Sequence, residues 1–369
     1  FGSTKKRMKT IFIIHNYTES TVASMSYYLA HYLSSRNYKV IFISHKPFFK
    51  ESFEDKNVVV YSWPNGNRPT SLTAALWYSK LFFKYNPNLI ICHFGGVNLS
   101  VILSKIFSLN KIKTFAYYHT LSSQIELDSS RNKFFSMVLK FRKKIIYSFF
   151  CNQIICPSEL AVNDLHSYFK IDKGIKILNP MVDRFKNEKY ESNNIVISFL
   201  GRIDKSKGVL LLVDAFNEYC KINPLTILEL KIAGCGSEEV VLLDKISKND
   251  RIRYEGALSY EKVDGFLNNS NFTIVPSLSD NLPTVGIESL MNGVPLLISS
   301  NTGLTLELEN EINCFVFKPE LKELILIFKK IESKKYNYFI LKERSREIYK
   351  LKFSLESYYK NIEDLITFK

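Results

Sequence analysis

One pattern constrains this chain more than any other. Short apolar runs rich in Ile, Val and Phe alternate with longer helical stretches, and after a polar interruption near residue 190 the alternation starts again. Such alternation is the signature of a parallel sheet covered by helices. In the first half, strands are expected at Thr10–Ile14, Val40–Ser44, Val58–Tyr61, Leu89–His93, Thr114–Tyr118 and Gln153–Pro157. Helical patterns fill Ser20–Ser35, Ser71–Tyr85 and Arg131–Phe149. In the second half, strands are expected at Ile195–Leu200, Leu228–Ala233, Ile252–Glu255, Phe272–Val275 and Pro295–Ser299. Helices fit Gly208–Cys220, Glu238–Lys248, Ser259–Asn269 and Val285–Asn292, and the Lys/Glu-rich tail from Leu321 reads as helical throughout.

The reading is therefore an α/β chain of two Rossmann-like, doubly wound domains. They span 4–180 and 195–345, with a charge-rich linker at 181–194 and a final helix over 346–369. A length of 369 residues suits two cores of roughly 170–190 residues each. Ligands of such sheets lie beyond the carboxyl ends of the strands, which makes a cleft between the domains the expected site.

Charge separates the halves. Residues 1–190 hold 27 Lys and Arg against 11 Asp and Glu, a net of +16, whereas residues 191–369 hold 23 against 25. The first half should seek anionic partners. Within Arg131–Phe150, Lys133, Lys140 and Lys144 share a stripe thickened by Arg142 and Lys143, beside an apolar face of Phe134, Val138, Phe141 and Ile145. That face either packs on the sheet or meets an anionic membrane surface. No nucleic-acid motif accompanies the charge. The six cysteines form no C-x-x-C pair and read as reduced thiols, which points to the cytoplasm. Lys5–Ile14 is too short in its apolar part for a signal peptide, Phe1–Ser3 resemble a cloning remnant, and no run reaches membrane-spanning length.

Two local constellations carry chemistry. Gly201-Arg202-Ile203-Asp204-Lys205-Ser206-Lys207-Gly208 follows an apolar strand and opens a helix. Glycine lets a ligand approach the backbone, and Arg202 and Lys207 supply charges suited to a diphosphate. Asp280 and Glu288 stand eight apart across Pro283, with a helix start near Thr284 whose N–H groups attract anionic oxygens. A nicotinamide enzyme would need G-x-G-x-x-G after the first strand, and Ile11–Thr21 holds no glycine.

Together these elements resemble the retaining glycosyltransferases of the GT-B fold, family 4. Gly201–Gly208 is similar to their G-R-x(4)-K-G element, and Asp280–Glu288 to their E-x(7)-E motif, continued by Glu288-Ser289-Leu290-Met291-Asn292-Gly293-Val294-Pro295. Asn179–Asp183, Ile232–Gly236 and Tyr117–Thr120 add weaker likenesses. The resemblance is dense over 176–310 and thin over 10–175. It implies two lobes facing across a cleft and a C-terminal helix crossing back to the first. It implies a hexosyltransferase that retains anomeric configuration without a metal or cofactor, takes a nucleotide-diphosphate sugar (UDP ahead of GDP), and modifies a glycan or lipid-linked saccharide in surface polysaccharide or glycoconjugate synthesis. Arg202 and Lys207 would hold the diphosphate, Glu288 the ribose, and Asp280 the sugar hydroxyls. Gly201, Gly234 and the backbone of Thr284, Val285 and Gly286 would line the donor site, while His119 would face the anomeric centre or the acceptor and His93 would line the cleft.

Two departures stand out. Asp280 is one methylene shorter than the usual Glu, and the loop His15–Thr21 lacks the Gly-Gly pair of many relatives, with Thr18 or Ser20 as substitutes. A nucleotide-sugar epimerase or hydrolase on the same fold, and a non-catalytic partner subunit of a glycosylation complex, stay open as alternatives.

Overall fold

The computed structural model describes residues 8–15, 21–45, 55–66, 68–93, 98–128, 133–186 and 194–367. Thr18, Ser20, Arg131 and half of the charge-rich linker (187–193) lie outside them. The first lobe is a seven-stranded parallel sheet in the order β3-β2-β1-β4-β5-β6-β7. Its strands are β1 (Thr10–Ile14), β2 (Lys39–Ser44), β3 (Val58–Ser62), β4 (Leu89–Cys92), β5 (Lys113–Tyr117), β6 (Gln153–Cys156) and β7 (Gly174–Lys176). Helices α1 (Thr21–Ser35), α2 (Leu72–Tyr85), α3 (Asn98–Phe107), α4 (Ser122–Asp128), α5 (Lys133–Ile145) and α6 (Glu159–Phe169) connect them. Central strands such as Thr10-Ile-Phe-Ile-Ile14 are buried on both faces, which is why they read as unbroken apolar runs.

The second lobe is a six-stranded parallel sheet in the order β10-β9-β8-β11-β12-β13. It comprises β8 (Ile195–Leu200), β9 (Leu228–Ala233), β10 (Ile252–Tyr254), β11 (Phe272–Val275), β12 (Leu296–Ser299) and β13 (Cys314–Phe317). Its helices are α7 (Val209–Ile222), α8 (Glu239–Ile246), α9 (Tyr260–Asn268), α10 (Thr284–Met291) and α11 (Leu321–Glu332). In each sheet the strand order reverses at one place, between β1 and β4 and between β8 and β11, and there a crevice opens at the carboxyl ends.

The tail is not one helix. It breaks after α11 at Ser333–Asn337, resumes as α12 (Tyr338–Ile348) and a π-helical turn, then breaks again at Ser354 before α13 (Leu355–Thr367). The breaks have local causes. Lys334 adopts a left-handed φ of 51°, and the Asn337 side chain accepts from the Ile340 N–H to start α12 afresh. These turns let the chain return to the first lobe. Tyr358, Ile362 and Leu365 of α13 join the core formed by β1, β2, β4 and α1, and Tyr358 Oη meets Tyr117 Oη at 2.6 Å.

The two crossings between lobes pair with each other. Met181 N–H donates to Phe353 O at 2.8 Å, and Tyr349 Oη donates to Met181 O at 2.8 Å. Glu307 of the second lobe is held by Lys176 of the first and Lys352 of the return crossing, each at 3.0 Å.

Candidate active site

The donor constellations meet at the switch point of the second sheet. Gly201 follows β8 and Pro276–Asp280 follows β11, so the two loops are neighbours. Gly208, with φ 69°, ends a 3-10 turn over Lys205–Lys207 and starts α7; a Cβ there would lie 2.2 Å from Pro276 O. The loops are thus pressed together at a position only glycine tolerates. Across this junction Lys207 Nζ reaches Asp280 Oδ2 at 2.5 Å, with both side chains largely buried. Gly234, at the end of β9, has φ 136° and sits so close to Gly201 O that a Cβ would come within 1.8 Å. Gly201 itself would accept a Cβ with ordinary contacts, so the steric demand falls on Gly234.

Arg202 lies apart from this buried pair. Its side chain is 57% exposed and its guanidinium is bonded to Asp204, so the two cations are held by different carboxylates. Glu288 lies one turn into α10 and is 6% exposed. Burial pushes its carboxyl up to about 7, against the pull of Arg184 and with the push of Asp264. Among the amides at the start of α10, that of Gly286 already donates to Pro283 O at 3.0 Å. The first-turn donors of the helix are therefore Thr284 and Val285, and Thr284 is exposed.

The first lobe contributes more than its histidine. Gln124 of α4 donates to Asp280 Oδ1 at 3.1 Å, so the donor carboxylate is held by both lobes. Ser123 Oγ meets Ser279 Oγ at 2.6 Å. Asn281 is 2% exposed and bridges the seam: its Nδ2 donates to Tyr118 O at 3.1 Å and His119 O at 2.9 Å, and its Oδ1 accepts from Ser158 Oγ at 2.6 Å. His119 is thereby brought to the same junction as Asp280.

Three histidines gather at the carboxyl ends of β1, β4 and β5. His93 stacks between His15 and Tyr117 with ring centroids 4.0 Å from each, and its Nδ1 meets His119 Nε2 at 3.2 Å. Ser26 Oγ lies 3.1 Å from His93 Nε2. Burial lowers His15 and His119 to about 3, with smaller pushes from His119 on His15 and from Lys143 on His119, and holds His93 well below the usual imidazole range. This wall is neutral at physiological pH, offering hydrogen bonds and no charge.

The basic helix departs from expectation. Lys143 turns inward, its ammonium over the rings of Tyr118 at 4.4 Å, Tyr147 at 5.4 Å and Phe169 at 5.5 Å. Burial lowers its pKa to about 8. Lys140 covers the Tyr168 ring, while Arg142 and Lys144 are exposed; the side chains of Lys133 and Phe134 lie outside the described set. The apolar face does not pack on the sheet, since Met137, Val138, Phe141, Ile145 and Phe149 are all exposed.

Sequence reasoning did not single out His15, Gln124, Arg184, Asp264 or Asn281. Asn281 had a local signal, beside Asp280; Gln124 had none, its partner lying 156 residues away.

The family model for glycosyl transferases group 1 matches residues 182–347, and the model for Glycosyltransferase Family 4 matches residues 22–184. The chain is a glycosyltransferase of the GT-B fold. No curated protein matches it by sequence. Among solved structures, this glycosyltransferase is similar to sucrose-phosphate synthase from Thermosynechococcus elongatus, at 16% identity and a TM-score of 0.78 over 97% of this chain and 98% of that one. It is also similar to a glycosyltransferase from Rickettsia africae, at 16% identity and 0.73 over 97% and 98%. Anabaena HepE, in complex with UDP-glucose, aligns at 15% identity and 0.72 over 97% and 99%. At these identities the likeness is one of fold.

Proposed function

We propose that this glycosyltransferase moves a hexose from a UDP-sugar to a glycan or lipid-linked saccharide, with retention and without a metal ion. The observation that carries the reading is the buried Lys207–Asp280 pair at the switch point, touched by Gln124 from the facing lobe. The choice of UDP follows HepE, whose structures hold UDP and UDP-glucose.

In this mechanism the donor diphosphate competes with Asp280 for Lys207. Asp280 keeps Gln124, with Ser277 Oγ 3.4 Å away, so its carboxylate stays placed for sugar hydroxyls once Lys207 turns to phosphate. Arg202 leaves Asp204 to cover the outer phosphate, and the amides of Thr284 and Val285 complete the cradle. Positive groups fixed before the reaction stabilise the charge that develops on the leaving diphosphate. The neutral His119 offers a hydrogen bond beside the anomeric carbon, and the leaving phosphate takes the acceptor proton on the same face. The acceptor side is the basic lobe, where exposed Phe141, Ile145 and Phe149 next to Arg142 and Lys144 suit the anionic inner leaflet of a membrane. No helix among the described residues is long and apolar enough to cross one.

The test is release of nucleoside diphosphate from a panel of UDP- and GDP-sugars in EDTA, with and without saccharide acceptors, and NMR of the product's anomeric centre. Acceptor-dependent UDP release with retained configuration is expected. Release without any acceptor would favour a hydrolase, a strict need for Mg²⁺ would overturn metal independence, and an inverted product would overturn retention.

A further inference from the structure

We propose that Arg184, on the crossing between the lobes, is a positioning residue that acts with Asp264 to set the charge state of Glu288 in the donor site. The inference rests on the reading that Glu288 takes the nucleotide ribose.

The geometry is a contest between two carboxylates for one guanidinium. Arg184 donates from Nε to Asp264 Oδ2 at 2.8 Å, from Nη2 to Asp264 Oδ1 at 3.1 Å and from Nη1 to Tyr260 Oη at 2.6 Å. The ring of Tyr260 lies 4.7 Å beneath it. Glu288 Oε1 is 3.8 Å from Nη2, near enough to feel the cation but too far for its hydrogen bond. Asp264 therefore takes the directional contacts, and Glu288 is left buried with the field alone. Asp264 is tied further by Asn292, which donates to it at 3.0 Å.

The remaining charges around α10 do not reach this contest. Arg346 of α12 donates to Met291 O at the far end of the helix and pairs with Asp183. Lys350 faces Asp183 as well. Among the described residues, Arg184, Asp264 and Tyr260 are thus the titratable groups that face Glu288.

The arrangement matters because a ribose diol brings two O–H donors. An ionised carboxylate accepts one at each oxygen, whereas a protonated one spends an oxygen as a donor, so nucleotide binding favours charged Glu288. Burial opposes that form near neutrality, and Arg184 is the group that brings ionisation within reach. Asp264 works against it, both as a like charge and by occupying the guanidinium.

Two substitutions with opposite consequences separate this from a packing role. The carboxyl of Glu288 is titrated by NMR in the ligand-free protein carrying ¹³C-labelled glutamate, the signal being assigned by its loss in Glu288→Gln. Arg184→Met should raise the midpoint by about one pH unit, and Asp264→Asn should lower it by a similar amount. The pH dependence of UDP affinity, read by calorimetry, should move in the same two directions. An unmoved midpoint in both variants, or a move in one common direction, would overturn the inference. Should Arg184→Met not fold, Asp264→Asn alone decides it: a lowered midpoint supports the contest, an unchanged or raised one refutes it. Glu288→Gln serves as the separate check, because UDP affinity unchanged by it would remove the ribose reading while the carboxyl titration still judged Arg184.

Discussion

Replacing Asn281 by alanine should loosen the seam between the lobes more than any other single change there. The side chain is 2% exposed, and its loss takes one hydrogen bond each from the carbonyls of Tyr118 and His119 and the hydroxyl of Ser158. A buried polar group left unsatisfied costs about 1–3 kcal/mol, which gives a ceiling of about 9 kcal/mol for the three. The true value is smaller, because Ser158 Oγ still accepts from the Ala161 N–H at 3.0 Å and water can fill the space of one amide. A loss of about 3 kcal/mol is expected. Asn281→Asp should be worse at equal volume, since a carboxylate would face two carbonyl oxygens. Hydrogen–deuterium exchange reads the effect locally: amides of α4 and of 279–282 should exchange over 100-fold faster, as about 3 kcal/mol requires. Unchanged exchange at α4 with unchanged global stability would refute the clamp.

Gly234→Ala should cost more than about 2 kcal/mol and abolish UDP binding, because φ 136° is strained for alanine and its Cβ would strike Gly201 O; thermal melts and calorimetry check both. Glu307 supplies a pH prediction. Burial opposes its ionisation, yet hydrogen bonds from Lys176 and Lys352 outweigh that and hold its carboxyl below the ordinary value. A depressed carboxyl adds stability above the unfolded value near about 4.3, lost as pH falls through the folded one. Wild type should therefore exceed Glu307→Gln in denaturant resistance at pH 7, and the gap should close at lower pH. Lys143→Met should leave stability equal or higher, because burial disfavours the ammonium more than its surroundings favour it, and should leave binding to anionic vesicles intact, whereas Arg142→Ser with Lys144→Ser should weaken vesicle binding at low salt and leave stability alone; the reverse pattern in co-sedimentation would contradict the inward placement of Lys143.

What could be read from the sequence was what is encoded locally. Strands such as Thr10–Ile14 and Ile195–Leu200 are apolar because both faces are buried, so pattern alone located them. The edge strand β7 is only three half-exposed residues and carries no such pattern. The Arg202–Lys207 turn and the Asp280–Glu288 helix start are contiguous stretches, and their residues were legible for that reason. The pairing of Lys207 with Asp280 was not, because it depends on β8 and β11 being neighbours in the sheet. Arg184 read as one charge in a polar linker, and only the packing of α9 against that crossing reveals its partners. Lys143 falls on a helical face with other lysines; the rings that draw it inward come from the residue after β5, from α6 and from a π-helical turn over Ile146–Phe150 that follows α5. Helical periodicity gives the direction of a side chain and leaves open what waits there.

The central claim is that the Gly201–Gly208 turn and Asp280–Glu288 form a nucleotide-diphosphate site. Calorimetric titration of UDP into the wild type and into Arg202→Ala and Lys207→Ala tests it most directly. Both cations are assigned to one diphosphate, so each truncation should cost on the order of 2–4 kcal/mol. That corresponds to roughly 30- to 1000-fold weaker binding. Saturable UDP binding to the wild type with losses of that size in both variants is the predicted result, and UDP affinity unaltered in both variants would contradict the account.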